Sequence, residues 1–172
     1  MARRIPIKIE LLVLVGCVKK IAFLAPFLFA VQLVSQQASA QDMMRVEPVT
    51  IVTAHASTTF SAEVADTDAT RERGLMFRQV MPPDQAMLFD VGSPRPISMW
   101  MKNTYVALDM VFVRQDGTIA AIAQNTVPKS LDTIGVQEPV KGVIELAAGT
   151  AKRIGLAKGD HVVGSIFTPP AN

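Results

Sequence analysis

The sequence predicts an α+β domain, mainly β: a single compact, barrel-like unit of about seven or eight short strands with two short helices. Three observations lead there. Short apolar runs alternate with polar residues at period two from residue 49 onward, turn residues recur between them, and only two stretches, around 66–74 and 150–155, switch to a helical pattern. A doubly wound sheet needs long helices between its strands, and the pattern contains none.

The first forty residues read as a targeting segment that stands apart from this fold. Arg3, Arg4, Lys8, Lys19 and Lys20 precede the apolar run IAFLAPFLFAVQLV, and SQQASA then ends in the small-x-small pattern Ala38-Ser39-Ala40. Basic, apolar and small-residue regions in that order are what a secretory signal peptide requires. Cleavage is expected after Ala40, which places the chain in the periplasm or outside the cell. Two other readings tether it to a membrane. One is an uncleaved anchor, opposed by Pro26 and by an apolar span of roughly 14 residues where about 20 are needed. The other is lipidation of Cys17 in LVGC.

Without residues 1–40 the chain has 12 Lys plus Arg against 14 Asp plus Glu, so the excess positive charge of the whole sequence belongs to the targeting segment. No basic patch or RNA-binding motif remains, and nucleic acid is not an expected partner. Cys17 is the sole cysteine and leaves with the same segment. The remaining 132 residues must therefore be stabilised by a packed core, for which their number suits one domain.

Residues 41–48, QDMMRVEP, read as a short leader and residues 49–172 as the domain. VTIVTAH and TTFSAEVAD alternate apolar and polar side chains and predict two half-buried strands. At TDATRERGLMFR the period changes: Asp66, Thr67 and Asp68 offer capping oxygens, and Gly74 can end a short helix. Pro82 and Pro83 then break the chain before AMLFD resumes as strand. PISMWM and ALDMVFVR are read as strands flanking a turn at Lys102-Asn103-Thr104, and Asp116-Gly117 marks a hairpin between VFVRQ and TIAAIAQ. VKGVIEL and HVVGSIF are the last strands. Between them Thr150 to Ile154 form a helical turn or two, with Gly155 at the exit and Gly159-Asp160 as a turn.

Four blocks, ADTDATRERGLMFR, AMLFD, ISMWMKNTYVALDMVFV and IELAAGTAKRIGLAKGDHV, resemble in content and order the bacterial and archaeal family called domain of unknown function 192. The resemblance runs from about Phe60 to Val163. It implies a small β-rich, barrel-like fold, often exported, with no established activity. The chain departs from the family pattern at Ala107, where a proline often precedes Leu-Asp, at Met99, where an aromatic often precedes Trp, and at Ala147, where an asparagine often precedes Ala-Gly.

Polar and aromatic chemistry concentrates in SMWMKNTYVALDM, residues 98–110. On a strand Trp100 and Lys102 share one face, and a paired strand brings Asp109 toward them. In the functional reading this is a pocket lip: Trp100 is an apolar platform, Lys102 and Asn103 orient a polar ligand, and Asp109 accepts hydrogen bonds. An indole face beside amide and carboxylate groups suits a sugar or another polyhydroxylated molecule, and also an amphipathic peptide. In the structural reading Asn103 holds the turn, Asp109 pairs with a cation and Trp100 packs.

A second group comprises Arg71, Arg73 and Arg78, either a solvated helix face or a set of anion contacts. Arg73 and Arg78 are candidate ligand contacts and candidate partners for Asp109 or Glu145. Glu145 lies among branched apolar residues in VIEL; facing inward, desolvation raises its proton affinity and equips it as an acid or base. Asp109 and Glu145 then form the best carboxylate pair for hydrolysis, whereas exposure on an edge strand leaves Glu145 without chemistry. His55 and His161 are the only histidines and no ligand cluster surrounds them in sequence, so neither a metal nor another cofactor is expected. Ser130 lacks the strand-turn-helix setting of a nucleophile. The many methionines serve as adaptable core filler or, alternatively, as soft ligands for copper(I).

The expectation is thus a non-catalytic exported binding or envelope-associated domain, its partner a small polar ligand such as a saccharide or an envelope component. A hydrolase or transferase acting on an envelope saccharide through Asp109 and Glu145 is the alternative, and a purely structural role for residues 98–110 is the third.

Overall fold

The computed structural model describes residues 44–168; the expected signal peptide, its cleavage point and the start of the leader lie outside them. Period-two alternation becomes strand in seven segments: β1 (Val46–Val52), β2 (Ser57–Ala65), β3 (Gln85–Met99), β4 (Leu108–Val113), β5 (Ile119–Ala123), β6 (Ile134–Ala147) and β7 (His161–Val163). They form one sheet in the order β5-β4-β6-β3-β2-β1-β7. Every neighbouring pair is antiparallel except β2 with β3. A parallel neighbour cannot be reached by a tight turn. The chain accordingly crosses over through α1 (Asp68–Arg73), while α2 (Thr150–Ile154) follows β6.

The two edges of the sheet meet. Thr118 and His161 form an antiparallel bridge, the Ile119 amide donates to the Asp160 carbonyl at 2.8 Å, and the Val162 amide donates to the Gly117 carbonyl at 2.8 Å. The seven strands are thereby nearly closed into a barrel, which removes most of the exposed edge that invites aggregation. Gly117 makes the seam. Its φ is +88°, and a Cβ there would lie 2.4 Å from the Val162 carbonyl oxygen.

Alternation divides the apolar residues between two clusters. The barrel interior takes Val49 and Ile51 from β1, Phe60, Ala62 and Val64 from β2, Leu88 from β3, Val111 and Val113 from β4, Ile119 from β5, Ile144 and Leu146 from β6 and Val162 from β7. Ala151 of α2 joins it. The outer face of the β3-β6-β4 region carries Met87, Phe89, Leu108, Met110, Phe112 and Val143. That face is roofed by Leu75, just after α1, and by Met101, in the connection from β3 to β4. Each buried Val, Leu, Ile, Phe or Met side chain among them stabilises the fold by about 1.5–3 kcal/mol.

Both helices show how their ends are satisfied. Thr67 caps α1: its hydroxyl accepts from the Thr70 amide at 3.2 Å, and the Thr70 hydroxyl accepts from the Thr67 amide at 3.0 Å. The reciprocal pair is a capping box in which threonine replaces the usual glutamate. Gly74 closes the helix at φ +47°. The α2 N-terminus has only Gly149 and no capping side chain of its own, and its Ala151 amide instead donates to Asp109 on β4 at 2.8 Å.

The sequence reading is corrected at three boundaries. β1 begins at Val46, so the last leader residues already pair, Val46 with Glu63 and Pro48 with Ser61. AMLFD and the first four residues of PISMWM are one strand, β3, interrupted by register shifts between Asp90 and Arg95 and between Arg95 and Ile97. Likewise β6 starts at Ile134, six residues before VKGVIEL. Pro94, Pro96 and Pro139 donate no amide, and they lie where the ladder is already irregular. The irregular stretch is pinned by Lys141, whose ammonium contacts Asp90 Oδ1 at 2.6 Å and the Gly92 carbonyl at 2.8 Å. At its other end β3 stops at Met99. Trp100 and Lys102 therefore belong to the connection, not to a strand face.

Candidate functional site

The region 98–110 does not converge as a unit. Trp100 is 48 % exposed, and the Lys102 ammonium stands 5.0 Å from its ring centroid, a cation–π contact at the surface. These two keep the proximity that the alternation argument required, by way of a turn. Asn103 is left-handed at φ 55°, its carbonyl accepts from the Phe77 amide at 2.9 Å, and its side-chain amide contacts Met76 Sδ at 3.9 Å. Phe77 is also left-handed at φ 67°, an uncommon conformation outside glycine. Asn103 thus fastens the roof over the outer face.

Asp109 is a correction to the predicted pocket. It is fully buried, and its two carboxylate oxygens accept from the Asn125 amide at 2.9 Å and from the Ala151 amide at 2.8 Å. It points to the barrel-interior side, where it joins the loop before β6 to α2, and it meets neither Trp100 nor Lys102.

The proposed carboxylate pair fails for a related reason. Asp109 is in register with Leu146, and Met110 with Glu145. Side chains in register share a face and successive ones alternate. Asp109 and Glu145 therefore lie on neighbouring strands but on opposite faces of the sheet, and no cleft can hold a substrate between them. Arg78 reaches neither acid: it forms a two-pronged ion pair with Glu63 on β2, with Nη1 2.7 Å from Oε1 and Nη2 against Oε2.

What the structure does bring together is a cleft of about 160 Å³ on the outer face, between α1 with its Gly74–Met76 extension and the Ser98–Thr104 connection. Glu145 lies on its floor, near the C-terminal end of β6, with Met87 of β3 and Met110 of β4 as register partners. Both methionines are fully buried, and Glu145 itself is 4 % exposed. Its carboxyl has no hydrogen-bond or ion-pair partner among the described residues, and its oxygens are not sealed from the cleft. Burial alone pushes this carboxyl up from 4.5 to about 8, because the charged form loses its hydration and gains nothing in return. At neutral pH Glu145 holds its proton.

The walls are Leu75, Met76, Phe89 and Met99, and Trp100 and Lys102 form the mouth. Arg71 and Arg73 line the α1 side. Arg71 is held in place by the Asp66 carbonyl at 2.6 Å, the Asp90 carbonyl at 2.8 Å and Asp68 Oδ1 at 2.6 Å. Of the residues singled out from sequence, Trp100, Lys102, Arg71, Arg73 and Glu145 meet here; Asn103 supports the roof, and Asp109 and Arg78 lie elsewhere. The apolar walls escaped notice because Met76 and Phe89 read as core. The one available signal was GLMF, an apolar run directly after a helix stop, matching neither strand nor helix period.

A small, nearly closed β-barrel with a roofed outer cleft is the class of domain that fold and site define. Residues 50–164 match the model of the domain of unknown function 192 family, described as an uncharacterized ACR, and the chain belongs to that family. No curated protein matches it. Among solved structures it is similar to a candidate transcription regulator from Sinorhizobium meliloti 1021, with 48 % identity, TM-score 0.69, and 70 % of this chain and 95 % of that one covered. It is also similar to a protein of unknown function from Novosphingobium aromaticivorans DSM 12444, at 33 % identity and TM-score 0.69 over 70 % of this chain and 86 % of that one. Among the described residues no helix is long and apolar enough to cross a membrane.

Proposed function

We propose that this chain is an exported binding domain for a small polar ligand, held in the outer cleft with Glu145 as its polar anchor and Trp100 and Lys102 at its mouth. The observation that carries this reading is the Glu145 carboxyl on the cleft floor, which has no partner among the described residues. A buried polar group without a partner costs about 1–3 kcal/mol or more, and such a cost is retained where something outside the fold completes the hydrogen bonds. A concave, mainly apolar site with a few convergent polar groups and a perturbed acid has the composition of a ligand pocket. Export rests on the order of basic, apolar and small residues before Ala40.

A panel of small saccharides, organic acids and amines, screened by thermal shift and calorimetry on the purified protein, tests the binding role. A ligand whose signal disappears in Glu145→Gln is expected. If every ligand found binds Glu145→Gln as tightly as the parent, the cleft is not the site. The mass of the protein recovered from a cell fraction tests processing after Ala40.

A further inference from the structure

A carboxyl and an ammonium line the cleft, and among the described residues neither has an ion-pair partner. Among the described residues Glu145 on the floor has no hydrogen-bond or ion-pair partner, and the Lys102 ammonium at the mouth stands over the Trp100 ring with no carboxylate paired to it. They line one cleft and do not pair with each other. Between them stand the apolar side chains of Leu75, Met76, Phe89 and Met99. We propose that the ligand is a small free amino acid, its ammonium group on Glu145 at the floor, its carboxylate on Lys102 at the mouth and its aliphatic part against the methionine and phenylalanine walls. This assignment rests on the binding role of the cleft and names the ligand class for it.

Size and charge agree. The cleft holds about 160 Å³, and an apolar cavity of about 150 Å³ takes a six-carbon ring, so a ligand of roughly six to nine non-hydrogen atoms fits. A saccharide would leave Glu145 facing hydroxyls and the mouth cation without an anion. An amino acid satisfies both groups, and its ammonium supplies the opposite charge that an ionised buried carboxylate lacks.

Binding then carries a proton signature. The charged groups facing Glu145 are Arg71, Glu72 and Arg73 from the α1 side and Lys102 from the connection, while Met87 and Phe89 of β3 and Met110 of β4 bring none. Free Glu145 holds its proton at pH 7. An arriving ammonium ionises it, and about one proton is released per ligand bound.

Calorimetry on the full chain with L-leucine, L-leucine methyl ester and N-acetyl-L-leucine separates the contributions, with glycine, alanine, valine and γ-aminobutyrate as a size series. L-leucine or a smaller member is expected to bind with proton release, read as a heat that depends on the buffer. The ester, lacking the carboxylate, is expected to bind at least tenfold more weakly, and the N-acetyl derivative, lacking the ammonium, not detectably. Glu145→Gln is expected to abolish binding and proton release together. Lys102→Met, at an exposed position, is expected to remove the preference for the acid over the ester while leaving proton release intact.

Equal binding of leucine and N-acetyl-leucine overturns the proposal, as does binding without proton release. If another class of ligand binds in a Glu145-dependent way and no amino acid does, the amino-acid assignment falls and the binding role stands. If nothing binds in a Glu145-dependent way, both fall.

Discussion

At the scale of single residues, the two acids of the sequence reading have exchanged importance. Asp109 looked like a site residue because it interrupts an apolar run beside Trp100 and Lys102, yet its partners are backbone amides 16 and 42 positions away, and no local pattern signals those. Glu145 looked equally suspect in VIEL, and sequence could not decide whether it faced water; the decision comes from β6 lying between β3 and β4, each with a methionine beside it. Its burial has a measurable consequence. The folded protein keeps a proton up to about pH 8 that the unfolded chain loses near 4.5. Stability contributed by that proton is fully present below about 4.5 and is lost as pH rises toward about 8, by roughly 1 kcal/mol per pH unit, with no further loss above. Denaturant melts of Glu145→Gln across that window are expected to show a flatter pH dependence than the parent. Parallel slopes would mean that Glu145 is ionised throughout.

At the scale of elements, strand identity was legible from alternation in β1 and β2 and from the Asp116-Gly117 turn between β4 and β5, while α1 was legible from its capping oxygens and α2 from the glycine at its exit. Lengths were less so. β3 and β6 run on through Pro94, Pro96 and Pro139 because two strands sharing an irregular ladder tolerate missing amides that a regular ladder does not. The end of β3 at Met99 also explains the fate of the predicted lip: Trp100 and Lys102 reach the cleft from a turn, while Asn103 behind them is consumed in holding that turn to Phe77. α2 depends on another element altogether. Asp109→Ala strands the Asn125 and Ala151 amides and is expected to cost about 2–4 kcal/mol at 25 °C, by analogy with other buried unpaired donors. Hydrogen exchange should locate the damage in α2 and the loop around Asn125, with the outer cleft intact. A loss of ligand response at preserved stability would instead return Asp109 to the site.

At the scale of the whole molecule, a barrel-like domain was legible from the number of short strands and their turns, and the family resemblance agreed with it; the strand order was not, since pairing partners lie far apart in sequence. Closure rests on the Asp116-Gly117 hairpin approaching β7. Gly117→Ala adds a Cβ 2.4 Å from the Val162 carbonyl at a left-handed position and is expected to cost about 1–3 kcal/mol, with faster amide exchange at Ile119 and Val162. Unchanged protection there would show that the seam yields without breaking. The position of β6 governs how the molecule is assembled. β1-β2-β3 and β4-β5 touch each other chiefly through this sixth strand, which leaves the ribosome after all of them. Until residue 147 emerges, a nascent chain consists of two half-sheets with methionine and phenylalanine faces open to water, so its final cooperative step is late and nonlocal. A chain truncated before Ile134 is left with two halves and nothing to zip them together.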